Sequence, residues 1–80
     1  MRFILLLIAR FLGSVQFTLG KMYYDGKGVP HDFVQAHLWL NLAASQLTGP
    51  ARDTAEKNRE IVAAQMTPAQ IAEAQKLARE

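Results

Sequence analysis

The sequence predicts an all-α chain of four or five helices joined by short turns. Three observations carry this. Apolar residues recur at helical spacing over most of the length, as at Phe33, Ala36, Leu40, Ala43, Ala44 and Leu47. The periodic stretches are separated by glycine- and proline-bearing turns at 25–30, 48–50 and 66–68. No stretch shows the period-2 alternation of a half-buried strand.

The first thirteen residues differ in kind from the rest. Seven apolar residues run from Phe3 to Ala9, after Arg2 and before Arg10. A transmembrane helix needs about 20 predominantly apolar residues. Arg10, Ser14, Gln16 and Thr18 interrupt any window of that length, so no span is expected. A basic start and a short apolar run meet two requirements of a secretory signal at their lower limit. The third is poorly met: Phe11 or Leu12 would occupy the position three residues before the cleavage site, where a small residue belongs. Residues 1–13 are therefore either a packing helix or a signal or anchor. Membrane contact is expected only if residues 3–9 take the second role. The poor cleavage site favours the cytoplasm over export without fixing the compartment.

Residues 14–24 read as a short helix with Val15, Leu19, Met22 and Tyr23 on one apolar stripe. Asp25-Gly26-Lys27-Gly28-Val29-Pro30 ends it. Gly26 suits a left-handed position just past a helix, and Pro30 prevents Val29 from continuing one. This glycine pair is a turn and not a phosphate cradle: it has no G-x-G-x-x-G, no G-K-[ST] and no preceding strand. Asp32 with Gln35 three residues on forms a capping box that starts a helix from Phe33 to about Leu47. Gly49 fits the position past that helix and Pro50 the first turn of the next. Residues 51–65 follow, with Ala51, Ala55, Ile61, Val62 and Met66 as the apolar face. Thr67-Pro68-Ala69-Gln70 is a second capping box. It opens a helix over 68–79 with Ile71, Ala74, Leu77 and Ala78 inward.

Composition excludes several chemistries. The 80 residues contain no cysteine, which removes thiolate zinc sites, thiol nucleophiles and disulfides. Net charge is +2, divided as +3 over residues 1–30, −1 over 31–50 and zero over 51–80. A nucleic-acid binder would cluster more Lys and Arg on one face, so no nucleic acid is expected. His31 and His37 stand six apart, not at the three- or four-residue spacing of helical metal ligands, and no further ligands accompany them. Neither Ser14 nor Ser45 has a nucleophile-elbow context. Glu56, Glu60 and Glu73 lie on polar helix faces without a pocket to separate their pKa values. No catalytic, cofactor-binding or metal residue is assigned, no cofactor is expected, and the chain is read as a non-enzyme.

Residues 15–44 resemble one Sel1-like repeat, a relative of the tetratricopeptide repeat with two antiparallel helices per unit. The landmarks are Leu19-Gly20, Met22-Tyr23, Gly26, Gly28-Val29, Asp32, Ala36, Trp39 and Ala43-Ala44. Met66-Thr67-Pro68-Ala69-Gln70-Ile71-Ala72-Glu73-Ala74-Gln75 resembles the ending of many bacterial Sel1-like proteins, where a terminal helix pair closes the array. The resemblance covers about residues 14–80. It implies an antiparallel helix-hairpin α-solenoid fragment: an apolar segment at 1–13, a repeat at 14–47 and a capping helix pair at 48–80. It also gives the repeat-structural residues roles. Gly20 lets the paired helix cross closely, Gly26 and Gly28 form the interhelix loop, and Asp32 begins the second helix. Ala36, Ala43 and Ala44 are small contacts between helices. Trp39 fills space between units, while Leu19 and Tyr23 belong to the repeat's apolar pattern. Val15 departs from the family, which usually has alanine there.

The function implied is a non-catalytic protein-interaction or scaffold module holding a protein or peptide partner. Tyr24, His37, Trp39 and Asn41 are candidate contacts, each also readable as packing or plain surface. Only one full repeat is present, whereas arrays generally need about three to bury a continuous core. The alternatives are a truncated repeat fragment without autonomous function, or self-association through an unpaired repeat face. A hydrolase is the less favoured third reading: some cysteine-rich Sel1-like proteins are described as β-lactamase-like, and the absence of cysteine argues against carrying that over.

Overall fold

In a computed structural model, residues 2–80 are described in backbone and residues 12–80 in side-chain surroundings. Among the described residues there are four helices and no strand: α1 (Arg2–Asp25), α2 (Phe33–Gln46), α3 (Gly49–Ala63) and α4 (Pro68–Arg79). α2 is the central element. It packs against α1 on one side and against α3 and α4 on the other. The result measures 40 × 24 × 23 Å. Its accessible surface is 5513 Å², more than the roughly 4,800 Å² that a globular domain of this mass presents. The four helices therefore leave more surface open to solvent than a globular domain of this mass.

The central position of α2 follows from its side chains. Ala36, Leu40, Ala43 and Ala44 are buried, as the periodicity predicts, and His37 and Leu38 are buried as well because α3 and α4 cover a second side. Ala36, Leu40 and Val62 form one core cluster, with Phe17, Tyr23, Tyr24, Phe33 and Met66 against it. Ala43, Ala44 and Ala55 form another, closed by Phe17 and Leu47. Alanine at these contacts lets helix axes approach closely.

The structure corrects the expectation of a separate short helix at 14–24. One helix runs through from residue 2 to residue 25. No proline interrupts it, and Gly13 is buried against α2, where a Cβ would lie 3.0 Å from Leu47 Cδ2. The predicted inward stripe is corrected too. Tyr23 packs on the core, but Val15 is 38% exposed, and Leu19 and Met22 join neither core cluster. The buried seam instead follows Gly13, Phe17, Gly20 and Tyr24. At Gly20 a Cβ would fall 2.7 Å from Leu40 Cγ and 3.2 Å from the Leu40 backbone nitrogen. Hydrogen in place of a side chain is what lets the α2 backbone lie this close.

The turns largely follow the sequence reading. Gly26 has φ +69°. The amides of Gly26 and Lys27 both donate to the Met22 carbonyl, at 2.7 and 3.1 Å, which satisfies the end of α1. Asp32 caps α2 by accepting from the Gln35 amide at 3.1 Å; this is the forward half of the expected box. At Thr67 both halves form. Gly49 is a correction. α2 ends at Gln46 with Leu47 extended, so Gly49 does not cap it; its φ of +61° turns the chain into α3. Ile61, expected inward, is 48% exposed, because α3 turns Ala55 and Val62 toward α2 instead.

Candidate functional site

α1 and α3 flank α2 but scarcely touch each other. Between them lie two separate clefts beside α2, together called the groove. Near the α2 C-terminus it holds a cleft of about 300 Å³ lined by Ser14, Phe17, Thr18, Leu47, Ala51 and Thr54. Further along lies a second cleft of about 210 Å³, between Lys21, Tyr24 and Asp25 on α1 and Asn58, Ile61 and Val62 on α3, with Leu40 at its floor. The α1 wall from Ser14 to Asp25 is about 17 Å long at 1.5 Å per residue. That length spans about five residues of extended peptide.

The groove is apolar at its base and polar at its rims. Phe17, Leu47 and Ile61 supply the apolar contacts, over the buried Leu40. Ser14, Thr18, Thr54 and Asn58 edge it, with Lys21 and Asp25 at one end. Two of the rim hydroxyls are already committed: Thr18 donates to the Ser14 carbonyl and Thr54 to the Pro50 carbonyl, both at 3.0 Å. The Tyr24 hydroxyl accepts from Gln65 Nε2 at 2.8 Å, which ties the end of α3 to α1. Tyr24 also meets Phe33 and His31; the last two rings stand edge to face with centroids 4.5 Å apart.

The four candidate contact residues do not lie on one surface. Tyr24 lines the groove. Asn41 lies on the other flank of α2, where its Oδ1 accepts from Arg59 at 2.7 Å. His37 is 5% exposed, inside the packing of α2. Its burial, reinforced by the Arg59 charge, lowers its pKa below the ordinary histidine value, so the neutral ring is favoured. Its Nδ1, like Trp39 Nε1 and Gln16 Oε1, is buried without a protein hydrogen-bond partner. Trp39 is half-buried and lines neither cleft of the groove.

The sequence reading passed over the groove residues because Ser14, Thr18, Thr54 and Asn58 are ordinary polar helix residues. The signal present was their spacing. Residues 14, 18, 21 and 25 share one face of α1, and 51, 54, 58 and 61 share one face of α3.

Among the described residues, no three His, Cys, Asp or Glu side chains gather where a metal ion could sit. No described helix is long and apolar enough to cross a membrane. In comparisons with family models, curated proteins and solved structures, the chain matches none.

Proposed function

We propose that this chain is a non-catalytic protein-interaction module of the Sel1-like kind, and that the α1–α3 groove holds an extended peptide segment of a partner. The groove is the observation that carries the reading. It has an apolar floor, polar rims and a length suited to about five residues. The occupant it fits has apolar side chains directed at Phe17, Leu47 and Ile61, and a backbone running between the rims. The landmarks of the resemblance support the same reading. Gly20 sits at the closest approach of α1 to α2, and Gly26 adopts the left-handed turn between them.

The test is selection from a displayed library of random peptides, followed by fluorescence anisotropy on the enriched peptides. Thr54→Arg places a long side chain across the cleft, whereas Asp53→Arg adds the same bulk elsewhere on α3. The expected result is a set of peptides that compete for one site and lose at least about tenfold in affinity with Thr54→Arg alone. Failure to enrich any peptide, or binding indifferent to Thr54→Arg, overturns the proposal.

A further inference from the structure

The flank of α2 away from the groove carries two clefts of its own. One of about 490 Å³ opens toward α4, where Gln75 and Arg79 line it. The other, of about 140 Å³, opens toward α3, where Arg52, Glu56 and Arg59 line it. They meet at Asn41 and Ser45 of α2, which line both. Charge is sorted here in a way that the sequence does not show. Residues 51–80 carry five basic and five acidic side chains and sum to zero. Three of the basic ones, all arginines, line these clefts against a single acid, Glu56. Glu56 is committed to Arg52 at 3.0 Å. Arg59 and Arg79 have no carboxylate partner among the described residues, so the two clefts hold an excess of two positive charges.

We infer that this flank binds an oxyanion ligand, a phosphate or a dicarboxylate, through Arg59, Arg79 and Asn41. Arg59 Nη1 donates to Asn41 Oδ1 at 2.7 Å. That bond holds the half-buried guanidinium in place and leaves its other N–H groups to donate. It also fixes the Asn41 amide, so that Nδ2 is a further donor beside the arginine. Arg79 is exposed in the last turn of α4 and supplies the second charge. A planar guanidinium pairs two oxygens of one carboxylate or phosphate at once, which an ammonium does not. The two arginines line different clefts that meet at Asn41, so the ligand that answers both carries more than one negative charge. Both clefts are open to water, where charge pairs are screened, so the affinity is modest. The inference goes beyond the peptide-binding reading and uses none of the groove residues.

Titration of the whole isotope-labelled chain with sodium phosphate and with sodium succinate, followed by nuclear magnetic resonance, tests it. Sodium chloride at matched ionic strength is the control. The Asn41 side-chain amide and Arg59 Nε–H signals are expected to shift saturably, with a Kd on the order of 1 mM, and to stay in place in chloride. Saturation by phosphate alone assigns the ligand as a phosphate, and saturation by succinate alone assigns it as a dicarboxylate. Arg59→Gln and Arg79→Gln are each expected to weaken binding at least about threefold. Lys57→Gln removes the same charge from α3 outside both clefts and is expected to leave it unchanged. Glu56→Gln is the decisive arm. It removes the one acid lining the clefts and releases Arg52, so binding should tighten at least about threefold, a gain that a misfolded chain cannot produce. Shifts no larger than those in chloride overturn the inference. So does equal weakening by Lys57→Gln, or a Glu56→Gln chain that binds no tighter. Peptide capture by the groove is read separately with Thr54→Arg, so either proposal can fail alone.

Discussion

Gly20→Ala tests the close approach of α1 to α2. The added carbon would lie 2.7 Å from Leu40 Cγ and 2.9 Å from Cδ2, against an ordinary carbon separation of about 3.5–4.0 Å. Leu40 cannot swing aside. It is 1% exposed and held in the cluster with Ala36 and Val62. Nor can the contact be relieved by a rotamer change alone, because the Leu40 backbone nitrogen is 3.2 Å from the same point. The helices must separate, and overpacking of this kind costs about 1–3 kcal/mol. Alanine recovers up to about 1 kcal/mol through helix propensity. Because the clash is short and reaches the backbone, the upper end of the cost applies, and the net loss is about 2 kcal/mol. Urea unfolding followed by far-UV circular dichroism measures it, and the melting temperature should fall by about 4–8 °C for each kcal/mol. The loss should be smaller in a Leu40→Ala background, where the two side-chain contacts are gone and only the approach to the backbone nitrogen of residue 40 remains. That background is compared in sucrose, which strengthens burial. A neutral Gly20→Ala in the wild-type background, or equal losses in both backgrounds, would refute the argument.

Helix caps give a matched pair of predictions. Thr67→Ala removes a cap bond and breaks a reciprocal box, and should cost about 1 kcal/mol in urea unfolding; Thr48→Ala, at a cap with no side-chain bond, should cost less than about 0.5. Glu56→Gln breaks an exposed ion pair to Arg52 and should change stability by no more than about 0.5 kcal/mol, diminishing further in salt. His37 gives a pH dependence. Its folded pKa lies below its unfolded value, so the unfolded chain binds the proton more readily. Stability should therefore fall as pH drops through about 6.5, and His37→Gln should flatten the melting-temperature difference between about pH 7.5 and pH 5.5.

Local signals with a mechanism were legible. Asp32, Gly26 and the Thr67–Gln70 box act through backbone hydrogen bonds within a few residues, so their chemistry is complete in the sequence around them. The inward side of α2 was legible because alanine and leucine recur there against polar neighbours. The inward side of α1 was not. Apolar residues occupy several faces of that helix, and its true seam is marked by Gly13 and Gly20, whose contribution is the absence of a side chain and carries no hydropathy signal. Hydropathy therefore pointed to Val15, which is exposed, and to Leu19, which joins neither core cluster. The groove and the buried state of His37 were hidden for another reason. Both depend on how α3 and α4 sit on α2, through contacts such as Asn41 to Arg59 and Tyr24 to Gln65 that span many residues.

The central claim is that these four helices fold as one autonomous unit around α2, able to present a groove. Thermal unfolding of the 80-residue chain, followed together by far-UV circular dichroism and Trp39 fluorescence, tests it most directly. Circular dichroism reports all four helices, whereas Trp39, the single tryptophan, reports the flank of α2. The account predicts one cooperative transition with the same midpoint by both probes. A broad loss of helix without a transition, or a fluorescence change separated from the loss of helix, would contradict it and show that the chain needs a further surface to fold.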